Sequence, residues 1–396
     1  MKQIINHFTD NDLYTFTCMY YILQKYPRAE TEYRFFDRNR TCYPKGFDLL
    51  LREQLEHLAE VVITDEEREF MTRSFPFLPY WFINVFLRGF RFNPAELTIS
   101  QDEEGHLDIR VKGKWWSTII WEMPILATIS ELMHTLNGDT MKYDAEAEWE
   151  KSLQKGRQIW TNGLTLGDMG TRRRFTFDHQ ERVIDALIQS YAEVCKETGG
   201  HCGKFTGTSN VYFAMKKNIP CLGTMSHQCI SFEEIVSGVF ECNYNVMNKW
   251  SEVYDGNVGI FLYDCFGDRV FFNNLSKRMA MTFCGLRIDS GVEEEQVDMI
   301  VEKYKQLGID PMSKQAVFSN GLDIKRAVEI HRYCQGKITD SYGVGTFLTC
   351  DVTDCSPMNI VVKLIRGRIT ESREWHPCVK LSCDKGKTLG DAKKCE

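Results

Sequence analysis

Apolar and polar positions follow two different rhythms along this chain. Over residues 97–111 they alternate: Leu97-Thr98-Ile99 and Leu107-Asp108-Ile109-Arg110-Val111 flank the polar stretch 101–105, which predicts a β-hairpin. From Pro124 the rhythm becomes helical, with Leu126, Ile129 and Met133 on one face, and it stops before Asn137-Gly138. A further helix is predicted with Val183, Leu187, Ile188, Tyr191 and Val194 on one face, opened by a capping box of Asp178 and Glu181 and closed by Gly199-Gly200. Residues 75–92 come closest to a membrane span, but Pro76, Pro79, Asn84, Arg88 and Arg91 interrupt them. A span needs about 20 mostly apolar residues, so this stretch reads as an aromatic core segment.

Further along, the pattern becomes regular. Six short apolar segments each run into a glycine-rich or polar corner. They are Phe205-Thr206-Gly207-Thr208, Cys221-Leu222-Gly223-Thr224, Ile260-Phe261-Leu262-Tyr263-Asp264, Leu286-Arg287-Ile288-Asp289-Ser290, Val317-Phe318-Ser319-Asn320 and Gly343-Val344-Gly345-Thr346. Helical patterns follow several of them, and the corners recur about every 28 residues, the size of one βα unit. This predicts an α/β fold in which these segments are strands, with a (β/α) barrel favoured over an open sheet. The 396 residues suit two or three domains at roughly 150 residues each, and no low-complexity linker separates them.

Charge narrows the function. With 48 basic and 55 acidic side chains the net charge is -7, which argues against a protein that grips a nucleic-acid backbone. Apolar residues at 43% and charged residues at 26% describe an ordinary soluble globule. The fifteen cysteines are odd in number, and residues 1–7 lack the apolar run of a secretory signal, so reduced thiols in a cytoplasmic protein are expected. Cys350 with Cys355, and Cys378 with Cys383, are spaced C-x4-C, wider than the common zinc knuckle, so core packing is favoured over zinc.

The corners carry the chemistry. Thr208, Ser209, Asn210, Thr224, Ser290, Ser319, Asn320, Gly343, Gly345 and Thr346 are the residue types whose exposed backbone N–H groups and hydroxyls cradle phosphates. Any one corner could be only a turn. Six together, with Arg287, Asp289 and Asp264 among them, point to phosphate chemistry. Arg172-Arg173-Arg174 follows Gly170 and precedes Phe175, so a guanidinium could turn inwards and bind phosphate or carboxylate bidentately. His227, three residues after Thr224, offers an imidazole suited to nucleophile, base or proton shuttle.

These same residues carry a family resemblance. Gly170-Thr171-Arg172-Arg173-Arg174-Phe175, Phe205-Thr206-Gly207-Thr208-Ser209-Asn210, Gly223-Thr224-Met225-Ser226-His227 and Gly285-Leu286-Arg287-Ile288-Asp289-Ser290-Gly291 resemble successive signatures of the nicotinate phosphoribosyltransferases. So do Leu307-Gly308-Ile309-Asp310-Pro311 and Gly343-Val344-Gly345-Thr346-Phe347-Leu348-Thr349. Asp12-Leu13-Tyr14, Phe90-Arg91-Phe92-Asn93-Pro94 and Asn359-Ile360-Val361-Val362-Lys363-Leu364 fit as well. The resemblance implies an irregular (β/α) barrel of the type II phosphoribosyltransferase kind over residues 136–349. Beside it would sit an α/β domain made of residues 1–135 with 350–396 contributing.

The activity it implies joins nicotinate to 5-phosphoribosyl-1-pyrophosphate, giving nicotinate mononucleotide and pyrophosphate in NAD salvage, with ATP as co-substrate and Mg2+ as cofactor. His227 falls on the transiently phosphorylated histidine; Asp289 and Asp264 would stabilise charge on the ribose or hold the metal through water. Tyr14, Met169, Arg287 and Ser209 fall at the nicotinate site. Arg172, Thr208, Ser319, Asn320, Gly343, Gly345 and Thr346 fall where phosphate and ribose are held. Tyr14 matches an aromatic that reaches the ring from a neighbouring subunit, which implies a homodimer with shared active sites and no nucleic-acid or membrane partner.

Ser209 separates acid from amide. Nicotinamide-using relatives carry an aspartate there, and like charges at about 4 Å with an effective dielectric near 20 cost on the order of 4 kcal/mol. Serine removes that penalty, so nicotinate is expected over nicotinamide, and the His227 motif argues against quinolinate. Four positions depart from the family pattern: Met169 replaces a ring-stacking phenylalanine, Gln228 a glutamate, and Arg269 and Val292 aspartates. They motivate a second reading, a catalytically weakened relative that senses nucleotides.

Overall fold

The computed structural model describes residues 2–381, and two sheets organise it. The first is antiparallel and five-stranded. It comprises β1 (Glu30–Asp37), β2 (Leu97–Gln101), β3 (Leu107–Lys114), and the late strands β10 (Ile360–Arg368) and β11 (His376–Pro377), in the order β11-β10-β1-β3-β2. The predicted hairpin is β2–β3, with Leu97 opposite Val111 and Ile99 opposite Ile109. Leu97 and Ile99 are buried while Thr98 and Ser100 face outwards, as a period of two requires of a half-covered sheet.

The second sheet is parallel and six-stranded. It comprises β4 (Thr165–Asp168), β5 (Lys204–Thr208), β6 (Ile260–Leu262), β7 (Gly285–Ile288), β8 (Gln315–Phe318) and β9 (Thr339–Val344), in the order β5-β4-β9-β8-β7-β6. Five of the expected corners end these strands. The segment 221–224 does not form one: a single parallel bridge ties Cys221 to Thr208, and β4, absent from the expected set, takes the sixth place. Glycine and threonine at 223–224 carry no β-branched apolar run to hold a ladder, whereas Leu164 and Leu166 are fully buried. Side chains from β5 through β9 face one cavity, so the sheet wraps around it. Among the described residues no ladder joins β6 back to β5, so the expected barrel is observed as a wrapped parallel sheet.

The helices follow the apolar periodicity closely. The one predicted from Pro124 is Glu122–Leu136, ending before Gly138 in a left-handed conformation. The next is Phe177–Glu197, but its N-cap is Thr176, whose hydroxyl accepts from the His179 N–H; Asp178 lies inside the first turn. Residues 75–92 form an aromatic core piece containing the π-helix Phe82–Leu87, with Phe82, Ile83 and Leu87 buried. Among the described residues no helix is long and apolar enough to cross a membrane.

Candidate active site

The ends of the parallel strands are locked by one buried carboxylate. Asp168, the last residue of β4, accepts from the Gly170 N–H at 2.8 Å, from Thr208 Oγ1 at 2.7 Å and from Gln180 Nε2 at 3.0 Å. Burial pushes its carboxyl up to about 6 even though these three donors pull the other way. Thr208 is thereby committed to the corner and fully buried; it does not line the cavity as expected. Its neighbour Ser209 does. The Ser209 N–H donates to the Asp168 carbonyl, its carbonyl accepts from the Leu13 N–H at 2.8 Å, and its hydroxyl donates to Asp12 Oδ1 at 2.8 Å.

That contact seats the helix Leu13–Lys25 at the mouth of the sheet and brings Tyr14 into the cavity of its own chain. Tyr14 shares this space of about 470 Å3 with Met169, Arg172 and Arg287 of the same chain. Its hydroxyl donates to Glu122 Oε2 at 2.8 Å, and the Arg172 guanidinium lies 5.3 Å from its ring centre. Gly343 packs against Met169, where a Cβ would meet Met169 Sδ at 2.3 Å, so a larger residue here would displace the thioether. Gly345, Thr346, Ser319 and Gly321 also line the cavity, and Asn320 is not part of that lining. Of the three consecutive arginines, Arg172 and Arg173 line the cavity. Arg174 is wholly buried and bound bidentately to Asp10 through two contacts of 2.8 Å.

A second lobe, also about 470 Å3, shares Arg172, Arg287 and Asp289 with the first and is lined by His227, Lys363 and Lys380. His227 opens the helix His227–Ser237, and its Nε2 lies 2.8 Å from Asp264 Oδ1, 2.8 Å from Lys380 Nζ and 3.8 Å from Asp289 Oδ2. Ser290 Oγ donates to Asp264 Oδ2 at 2.6 Å, and Ser319 Oγ donates to Asp289 Oδ1 at 2.7 Å. Burial, and then the Lys380 ammonium, push the imidazole down to about 4, so it is neutral at neutral pH. Burial raises Asp289 too, but Arg287 and the His227 side outweigh it and hold it at about 2. Lys363 is pushed down to about 8, first by burial.

The ligand atoms of His227, Asp264 and Asp289 lie within 4.8 Å of one another, and their two carboxylates are the hard oxygen donors that Mg2+ takes. Sequence reasoning passed over Asp12 and Lys380. Asp12 stands within Asp12-Leu13-Tyr14, where only the tyrosine carries a ring-binding signal. Lys380 has no local signal, since it reaches His227 from 153 residues further along the chain.

Of the departures from the family pattern, Met169 lines the first lobe and Gln228 the second, whereas Arg269 and Val292 line neither. The Gln228 amide oxygen accepts from the Tyr33 hydroxyl and from Trp115 Nε1, an uncharged role that leaves no buried donor unpaired. Val292 is 51% exposed and Arg269 is on the surface. Met169 presents its thioether to the first lobe.

A model of the nicotinate phosphoribosyltransferase (NAPRTase) family matches residues 164–393, and a model of that family's N-terminal domain matches residues 9–130. A nicotinate phosphoribosyltransferase of Desulforapulum autotrophicum is 37% identical over 389 residues, spanning 98% of this chain and 96% of its own. One from Chromohalobacter salexigens is 35% identical with the same coverage, 98% and 96%. Among solved structures, the nicotinate phosphoribosyltransferase of Porphyromonas gingivalis superposes with a TM-score of 0.93 at 40% identity, over 99% of this chain and 98% of that one. The Vibrio cholerae enzyme of the same name gives 0.86 at 27% identity, over 98% and 90%.

Proposed function

The chain belongs to the nicotinate phosphoribosyltransferase family and, on that premise, we propose that its two-lobed cavity makes nicotinate mononucleotide from nicotinate and 5-phosphoribosyl-1-pyrophosphate, the entry of nicotinate into NAD salvage, with ATP consumed through His227. The observation that carries this reading is the sharing of Arg172, Arg287 and Asp289 between a ring-and-ribose lobe and a lobe holding a neutral histidine among cations.

In the first lobe Tyr14 and Met169 bracket the pyridine ring, and Arg172 or Arg287 pairs with its carboxylate. The backbone N–H groups of Gly345 and Thr346 receive the 5′-phosphate, while Asp289 and Ser319 hold the ribose hydroxyls. The pyridine nitrogen then bonds to C1 as the C1–oxygen bond breaks and pyrophosphate departs with the electron pair. Positive charge grows on the ribose in that step, and the ionised Asp289 and Asp264 are placed to offset it. Mg2+ held by these two carboxylates would supply further charge neutralisation for the leaving pyrophosphate.

In the second lobe the His227 Nε2–H donates to Asp264, which leaves the Nδ1 lone pair to attack the terminal phosphorus of ATP. The N–P bond forms as the P–O bond breaks and ADP leaves, with Lys363 and Lys380 as counter-charges for the phosphates. Phosphorylated His227 would reorganise the pyrophosphate environment through added anionic oxygens; water later returns it to the imidazole with release of phosphate.

Support for a homodimer comes from exposed apolar side chains, Tyr80, Trp81 and Val85 on one turn and Phe240 with Tyr244 on another helix. Asp264 and Asp289, both at the site, argue against the sensor reading. The test is incubation with nicotinate, 5-phosphoribosyl-1-pyrophosphate, Mg2+ and ATP, followed by chromatography for nicotinate mononucleotide. Product formation, with nicotinamide and quinolinate unused, supports the assignment; retained binding without turnover would overturn it. Light scattering of the same sample reads the subunit number.

A further inference from the structure

A second imidazole lies in a mixed donor cluster that the reaction does not use. His134, near the end of the helix Glu122–Leu136, is buried, and its Nδ1 lies 2.9 Å from Oδ2 of Asp139, the first residue of the short helix Asp139–Lys142. Its other ring nitrogen, Nε2, lies 3.4 Å from Sγ of the buried Cys350. Cys355 approaches from the same late segment, and the ligand atoms of His134, Asp139 and Cys355 all lie within 4.8 Å of one another. The C-x4-C pair whose spacing argued against zinc is thus joined by an imidazole and a carboxylate from more than two hundred residues earlier, His134 standing 216 residues before Cys350.

We propose that His134, Asp139 and Cys355 bind a zinc ion, His134 through Nδ1, with Cys350 orienting the imidazole from its other nitrogen. The donor set selects the metal. One sulfur, one nitrogen and one carboxylate oxygen are the ligands of Zn2+, whereas Mg2+ and Ca2+ take oxygen alone. Zinc holds such atoms at about 2.0–2.3 Å, which sets neighbouring donors about 3.3–3.8 Å apart. The observed cluster spans that size, from 2.9 Å between His134 and Asp139 to no more than 4.8 Å between any two ligand atoms. Three protein ligands leave a fourth position for water, and a hydrogen bond to the free ring nitrogen is how a ligating histidine is ordinarily held. Cys355 is only half-buried, which gives the ion a path in.

The setting gives the ion a structural role. Cys350 packs with Phe175 and Val352, and the His134 ring centre lies 4.9 Å from that of Phe175. The Phe175 N–H donates to the Thr349 carbonyl at 2.8 Å, and Thr349 Oγ1 donates to the Gly170 carbonyl at 2.8 Å. Zinc would therefore tie residues 350–355 to the helix behind the arginine segment without touching substrate. Burial pushes the Cys350 thiol up to about 12 and raises that of Cys355, so both are protonated without metal. Formation of the Zn–S bond at Cys355 releases its proton to solvent.

The test uses the intact protein, reduced, stripped with chelator and titrated with Zn2+ or Co2+ alone. The wild type is expected to bind one more zinc per chain than Cys355→Ser or Asp139→Asn. With Co2+ it should show a near-ultraviolet thiolate-to-cobalt charge-transfer band, lost in Cys355→Ser and weakened in Cys350→Ser. The His227 cluster has no thiol ligand and cannot give that band. Absence of the band in the wild type, or a band and stoichiometry unchanged in both Cys355→Ser and Asp139→Asn, overturns the proposal. Either result is independent of whether nicotinate mononucleotide is made.

Discussion

Two histidines of this chain face an aspartate at nearly the same distance, His227 with Asp264 at 2.8 Å and His134 with Asp139 at 2.9 Å. The pairs differ in what stands next to them. Beside His227 are an ammonium, a second carboxylate and an open lobe lined by cations. Beside His134 are two cysteines and the edge of an aromatic cluster. A histidine–aspartate pair fixes the orientation of a ring and little else; the third neighbour decides whether the ring meets phosphate or a soft metal ion.

The comparison can be broken at several points. His227→Ala should cost the most, removing the whole ATP-stimulated part of turnover, at least about 100-fold in kcat/KM measured with ATP. Full retention of ATP stimulation would end the phosphohistidine role. Ser209→Asp puts a second carboxylate beside Asp12 and should weaken nicotinate binding by roughly a thousandfold, on the order of 4 kcal/mol; an unchanged KM for nicotinate contradicts it. Lys380→Met deletes a charged hydrogen bond worth about 1.5–3 kcal/mol, so kcat/KM for ATP should fall roughly ten- to a hundredfold, with nicotinate binding spared.

The smaller effects sharpen the contrast. With Lys363 held at about 8, its charge is present below that pH and lost above it, so KM for the phosphorylated substrates should rise as the pH passes through about 8. Lys363→Arg keeps its charge and should flatten that alkaline limb. Smallest of all, Cys355→Ser should leave kcat at the wild-type level at neutral pH while removing zinc; a large loss of kcat would mean that the two clusters are coupled.

Residues near each other in sequence were the ones read correctly. The hairpin at 97–111, the helix through Leu126 and Met133, and five strand-end corners are local patterns of period and turn chemistry. Arg172 and Arg174 stand two apart in an identical run, and only the packing of Asp10 against one of them separates a cavity-lining guanidinium from a buried ion pair. Thr208 and Ser209 are likewise adjacent hydroxyls, one spent on Asp168 and the other facing the cavity. Asp12 and Lys380 reach the site through contacts across 197 and 153 residues, and no local spacing encodes such a meeting.

The pairing of β10 with β1 carries a consequence for the timing of the protein's manufacture. That antiparallel ladder, Glu30 with Arg368 through Asp37 with Ile360, delivers the segment that ends on Lys380 to a histidine translated 153 residues earlier. Until the ribosome has emitted that segment, the nascent chain holds a histidine and two aspartates without their counter-cation, and the basic lobe has no far wall. An unfinished chain therefore holds His227, Asp264 and Asp289 without Lys380, and the four groups meet only once residues 360–380 have been made.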